Sequence, residues 1–333
     1  MQNDIHFSKY RWNCTMTDIS AIRRAVEMGV AFLESVQLPS GEIPIELSPI
    51  PEMTGDCAPA PVVFPAAIAA RALAITPAAV RVRFRALDFL LREMHPDGLW
   101  RHPSSAKPQH YDTPFDVDDT SIASAALAAA GREIPDNRRM LVANREPNGL
   151  FRTWIVRWRP YPLLTRRFFR TVAETRDVDA VVNANVVFYL GDCEETRPSI
   201  DDMLDVLRAN REMASTIWYG SRFTVWYFFS QALREIAPEA GEMIVPRIEA
   251  AAPVNALELA LATSTLLMWN RMPDVAALIE AQLRSGAWPR AGFYHMGRRR
   301  TDPQPKPPWW GSEALTTVFA VEALSRRLLA ENA

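Results

Sequence analysis

Asp116, Asp118 and Asp119 set three carboxylates within four residues, directly ahead of the apolar run IASAALAAAG. Ionised together they repel one another, and burial against apolar neighbours raises their pKa further. At least one is therefore expected to keep its proton near neutrality. A neutral carboxylic acid in an apolar cavity can protonate groups that water leaves alone, a carbon–carbon double bond among them. Asp and Thr also suit a helix start, where a carboxylate accepts backbone N–H groups and meets the positive end of the dipole. The triplet alone leaves both roles open.

What must position these acids is a repeat. VEMGVAFLESVQLPSGEI (26–43), ALDFLLREMHPDGLW (86–100), AALIEAQLRSGAW (276–288) and, more loosely, MLVANREPNGLF (140–151) each run from a helix through a Gly to a large apolar residue. The Gly suits the left-handed turn after a helix, and the bulky side chain then returns to the core. More uniformly apolar helices alternate with these, at 62–74, 121–131, 181–191, 224–235, 255–269 and 314–329. One-stripe helices precede them near 18–37, 78–94, 136–144, 200–213, 240–251 and 274–284. A helix apolar all round is buried on several sides, whereas a one-stripe helix faces solvent. Six such alternations predict an all-α fold, a single (α/α)6 barrel over residues 17–333 after an extension at 1–16. Strand signals are nearly absent. DVDDTSIASAAL (116–127) and DVDAVVNANVVF (177–188) open alike, which in that register sends Asp177 and Asp179 to the cavity mouth beside Asp116 and Asp118.

The chain has 333 residues, 48% of them hydrophobic, enough for a full core, and its net charge of −2 argues against a nucleic-acid partner. Its three cysteines, Cys14, Cys57 and Cys193, are odd in number and widely spaced, which fits a reducing cytoplasm. No apolar run is long enough to span a bilayer, and the first residues lack a signal-peptide core. A cytoplasmic location is expected, with peripheral membrane contact left open.

The helix–Gly–aromatic unit resembles the QW repeat of the squalene cyclase and prenyltransferase superfamily. FDVDDTSIASAAL resembles the DxDD motif of class II terpene cyclases, in its DxDDT form, and the likeness runs along nearly the whole chain. It implies the terpenoid cyclase toroid and a protonation-initiated polyene cyclisation, an isomerase or lyase chemistry needing no cofactor. The middle Asp of DxDD is that family's general acid; the role falls on Asp118, with Asp116 and Asp119 tuning and orienting it. Familiar members carry two barrels, whereas this chain has room for one and no second cyclase domain. It therefore resembles the monodomain, merosterolic acid synthase type, whose substrate is a prenylated aromatic acid and whose products are meroterpenoids.

Such chemistry needs aromatic faces to stabilise carbocations. Trp226 and Trp310 are the favoured candidates, with Trp218 and Phe188 beside them; Asn185 and Asp179, on the 177–188 segment, join this group. An aromatic at helical spacing is more often plain core. The insertion at 151–176, FRTWIVRWRPYPLLTRRFFRTVAETR, interleaves seven Arg with aromatic residues. A lid, an anion-binding surface using Arg157 and Arg159, a membrane-touching patch and a solvated basic helix all fit it. GRRRTDPQPKPPWWG (297–311) is Pro-rich and reads as a loop. Of the histidines, His110 stands nearest before the triad; His295 has no evident place.

Other readings fare less well. The prenyltransferases' zinc pattern has Asp-x-Cys, whereas Asp56–Cys57 and Asp192–Cys193 are adjacent, so no metal is expected. An (α/α)6 glycoside hydrolase would also want two carboxylates but not these turns, and an inert scaffold has no use for three acids above a buried helix. A prenyl diphosphate cyclase of drimenyl or copalyl type would bring Mg²⁺ and a further acidic motif, for which GDCEET (191–196) and IDD (200–202) are poor matches. The expected substrate is a hydrophobic isoprenoid with a carboxylate or phenol head.

Overall fold

The computed structural model describes residues 18–107, 112–155, 174, 176–297, 304 and 306–331. Its longer helices are α1 (Ile19–Val36), α2 (Phe64–Ala72), α3 (Val80–Glu93), α4 (Val117–Ala129), α5 (Arg138–Ala143), α6 (Ala180–Leu190), α7 (Arg197–Arg208), α8 (Arg222–Leu233), α9 (Glu239–Ala250), α10 (Ala256–Met268), α11 (Ala276–Glu280) and α12 (Glu313–Glu331). The even-numbered helices are the uniformly apolar ones. They pack in a closed circuit, α2 on α4, then α6, α8, α10 and α12, which returns to α2. The odd-numbered helices lie against them: α1 on α12, α3 on α2, α7 on α6, α9 on α8 and α11 on α10. Met140 and Leu141 of α5 cluster with Val182 and Val186 of α6. The helix pattern follows from burial, since a helix in the circuit has neighbours on every side and tolerates few polar residues.

The four helix–Gly–aromatic segments share one turn. Gly41, Gly98, Gly149 and Gly286 each donate a backbone hydrogen bond to the carbonyl three residues earlier, at 2.8 to 2.9 Å. Their φ values are +87°, +72°, +88° and +89°, where a side chain is strained. At Gly286 a Cβ would also stand 2.3 Å from the Met28 carbonyl. At the last three of these turns the residue two places on is pinned to the next even-numbered helix. Trp100 N–H donates to Thr120 Oγ1 (3.1 Å), Phe151 N–H to Asn183 Oδ1 (2.9 Å) and Trp288 N–H to Thr317 Oγ1 (3.0 Å). The indoles of Trp100 and Trp288 both reach back ten residues, to the carbonyls of Leu90 and Leu278. The Gly98 turn thus fixes α4 at the residue after Asp119.

Two expectations need correction. Strands do occur: β1 (Glu46–Ser48), β2 (Ala58–Pro59), β3 (Tyr294–His295) and β4 (Trp309–Gly311) form an antiparallel sheet in the order β2-β1-β4-β3. Trp309–Gly311, read as loop, is one of its two central strands, with Trp310 opposite both Leu47 and Tyr294. Strands of two or three residues leave no alternation to detect; pairing partners far along the chain create them.

Candidate active site

Asp116 is the N-cap of α4. Its backbone is held by Trp100, whose carbonyl accepts the Asp116 N–H at 2.9 Å, and its Oδ1 accepts the N–H groups of Asp118 (2.7 Å) and Asp119 (3.3 Å). The capping role therefore falls on the first member of the triad. With Asp116 capping, the next two acids turn inward on the first turn of α4. Asp118 Oδ1 accepts from Asn185 Nδ2 at 2.6 Å, and its Oδ2 accepts from the Tyr219 hydroxyl at 2.5 Å. Asp119 Oδ2 lies 3.1 Å from His102 Nδ1, while its buried Oδ1 has no hydrogen-bond partner. His102 Nε2 in turn lies 3.3 Å from the Tyr294 hydroxyl.

These acids open onto a cavity of about 430 Å³. Its wall is aromatic: Phe64, Trp154, Trp218, Tyr219, Tyr294 and Trp310. Tyr294 and Trp310, paired across β3 and β4, stack at 5.2 Å between ring centres. The short sheet thus supplies one aromatic side of the chamber and the N-terminus of α4 supplies the acids.

Burial dominates the electrostatics, because a dry wall disfavours the charged form of each acid. It pushes the Asp118 carboxyl up to about 7 and Asp119 up to about 8, and it carries Asp116 well above the carboxylate range with help from its two acidic neighbours. The donors Tyr219 and Asn185 act the other way on Asp118, favouring its ionised form. Burial also raises the Tyr219 phenol, so its hydroxyl stays a donor. His102 is drawn down to about 4 by burial. Its contact with Asp119 meets the distance of an ion pair, but near neutrality it is a hydrogen bond between a neutral ring and a carboxyl.

The other expected residues divide. Trp218 and Trp310 line the cavity, and Asn185 holds Asp118. Asp179 is the N-cap of α6, and its Oδ2 accepts from Thr216 Oγ1 (2.8 Å) and from the N–H groups of Ile217 and Trp218. It positions the segment carrying Trp218 and Tyr219 instead of meeting the cavity. Asp177, expected at the mouth, instead accepts from the Trp154 indole and the Glu174 N–H. The shared DVD opening is thus offset by two residues in space: α4 is capped by the first Asp, α6 by the last.

Trp226 and Phe188 are corrected. The Trp226 indole donates to Glu212 (3.0 Å), on a side of α8 away from the cavity. Phe188 sits 36% exposed near the C-terminal end of α6, under the Arg71 guanidinium at 5.3 Å. It is about 13 Å along the helix from the end that Asp179 caps. Helices buried all round give no periodic sign of which face meets the chamber. Arg157, Arg159 and His110 lie outside the described residues, as does 156–173 of the insertion. Sequence reasoning missed His102, Tyr219, Tyr294, Thr153 and Lys107, all on the cavity wall. His102 left a trace, two residues past the Trp of a turn that ends at the acids, and Tyr219 left another, next to Trp218 in an aromatic cluster.

GDCEET begins where α6 ends, and Asp192 there pairs with Arg197. Among the described residues no group of three or more His, Cys, Asp or Glu is placed to hold a metal ion, and no helix is long and apolar enough to cross a membrane.

No family model matches the chain. Among solved structures, a tyrosine-to-phenylalanine variant of the type II terpene cyclase MstE from Scytonema superposes with a TM-score of 0.69 at 17% identity, over 94% of this chain and 98% of that one. The fold is that of a type II terpene cyclase. Unmodified MstE gives a TM-score of 0.65 at 16% identity, covering 94% and 100% of the two chains. A protein from Actinoplanes gives 0.67 at 17% identity, covering 92% and 99%. A curated relative, drimenol cyclase drtB of Aspergillus calidoustus, is 22% identical over 224 residues, which are 64% of this chain. The chain spans only 38% of that relative's length.

Proposed function

We propose that the protein is a class II terpene cyclase, acting through Asp118 on a linear isoprenoid or a prenylated aromatic acid, in a single (α/α)6 barrel built from residues 17–333. The observation that carries this reading is one carboxyl group. Asp118 is buried, its proton is retained to about pH 7, and it borders a chamber walled by aromatic rings. Placed there, its O–H bond can break as the proton forms a C–H bond with the terminal alkene, whose π bond breaks to leave a tertiary cation and the Asp118 carboxylate. Further double bonds then attack in turn, and loss of a proton from the last cation to water gives the neutral cyclic product, with Asp118 reprotonated from solvent. Tyr219 and Asn185 stabilise the carboxylate left behind, and hydrogen bonds to a charged group contribute about 1.5–3 kcal/mol each. Trp310, Tyr294 and Trp218 offer faces to the cations, worth about 1–2 kcal/mol each when desolvated.

The acidic patches GDCEET and IDD lie beyond the C-terminal end of α6 and do not fit a Mg²⁺-diphosphate site beside the chamber. This favours a carboxylate or phenol head. The family of drimenol cyclase keeps the diphosphate reading as the second choice.

Incubation with farnesyl and geranylgeranyl diphosphates and farnesylated phenolic acids tests the proposal. A product of unchanged mass and shifted retention is expected from one of them, absent with Asp118→Asn. Products of hydrolysis alone, or none with any substrate, would overturn it.

A further inference from the structure

Lys107 is a cation in a wall that otherwise suits hydrocarbon. It closes the turn after Pro103, its N–H donating to the Ser104 carbonyl at 3.0 Å, and it lines the chamber. Among the described residues its ammonium has no carboxylate partner, and burial draws its pKa below the usual lysine range. The acids of the triad do not supply the missing charge, since burial keeps them largely protonated. An ammonium placed where cations must form also opposes the chemistry unless an anion neutralises it.

A second observation points the same way. Trp310 is 8% exposed, lines the same chamber, and its indole N–H has no acceptor. A buried indole N–H normally finds one. The Trp310 ring stands 6.1 Å from His102, and both line the same chamber as Lys107.

We propose that Lys107 and the Trp310 indole N–H form an anion subsite that holds the head group of the isoprenoid, a carboxylate or a phosphate. The ammonium supplies charge and the indole supplies direction; together they fix where the head group rests on the chamber wall. This assignment rests on the cyclase reading for the identity of the ligand, but binding alone can test it.

The test uses the full chain carrying Asp118→Asn, so that no turnover occurs, with farnesol, farnesoic acid and farnesyl diphosphate as probes. Binding is read from tryptophan fluorescence. Lys107→Gln is expected to weaken at least one of the two anions about tenfold or more, the range of a hydrogen bond to a charged group. Farnesol should change less than about twofold. Lys107→Arg should restore most of the loss, and Trp310→Phe, which keeps a ring and removes the donor, should weaken the same anion by a smaller factor. Whichever anion depends on Lys107 identifies the head group. An anion-to-alcohol affinity ratio unmoved by Lys107→Gln would overturn the subsite, as would equal binding of all three probes. Lys107-dependent binding without any mass-neutral product from the unmutated protein would leave the subsite standing and remove the cyclase reading.

Discussion

The starts of α4 and α6 carry the same three letters, Asp-Val-Asp, and do different work. At α4 the helix is capped by the first Asp, so the acids that follow lie on its first turn and meet the chamber. At α6 the last Asp is the cap, and the residues in the corresponding places are Val181 and Val182. Asp179 then spends both oxygens on backbone and hydroxyl donors. Asp118 also has both oxygens occupied, but by a phenol and an amide from α6 and the segment before α8. The difference lies in position along the helix: a carboxylate at the cap organises backbone, whereas one two residues further on faces the chamber.

The largest expected effect breaks that contrast directly. Asp118→Asn should cost about 10³-fold or more in kcat, the range for loss of a general acid, with little change in melting temperature. Asp179→Asn should do the reverse in kind, setting an amide N–H against the donors of the 216–218 segment. Its melting temperature should fall by several degrees, as a loss of about 1–3 kcal/mol implies. Equal kcat losses in the two variants, measured on the same substrate, would erase the distinction.

Tyr219→Phe sharpens it. Removing a donor to the Asp118 carboxylate leaves a weaker acid, so kcat should drop by about 10- to 100-fold. That donor lowers the Asp118 pKa; without it, the alkaline limb of the rate profile should move to higher pH. A limb that stays in place would separate the phenol from the acid.

The pH dependence of stability has a definite sign. Asp118 and Asp119 hold their protons to about 7 and about 8 in the fold, whereas an unfolded chain loses them near 4. Their contribution is complete below the unfolded value and is lost as pH rises through 7 and 8. Melting temperature should therefore fall between pH 5 and 9, and Asp118→Asn should flatten that fall. Loss of activity over the same interval is expected as the acid ionises.

The smallest effect belongs to Trp226→Phe. The ring stays, the hydrogen bond to Glu212 goes, and kcat should change by less than about threefold while stability drops by about 1 kcal/mol. Trp310→Ala, which opens the chamber wall, should alter kcat or the product mixture far more.

Much of this was legible in one dimension. The six apolar helices and their one-stripe partners fall where periodicity puts them, because burial on every side and burial on one side leave different patterns in a sequence. The four Gly turns were legible for a related reason, since only Gly takes their backbone angles without strain. Trp226 and Phe188 went astray because a helix apolar on all faces does not say which face meets the chamber. Trp310 does line the chamber, yet its strand was not foreseen.

By itself the sequence determined the alternating helices, the turns that pin them and the crowding of three acids at one helix start, because each depends on neighbours within a few residues. Tertiary structure decided which acid caps and which faces the chamber. It also brought His102, Asn185 and Tyr219 to those acids, and Tyr294 to His102, from four separate places in the chain. Such contacts come from the closure of the helical circuit and the pairing of short strands, and no local pattern of residue types encodes them.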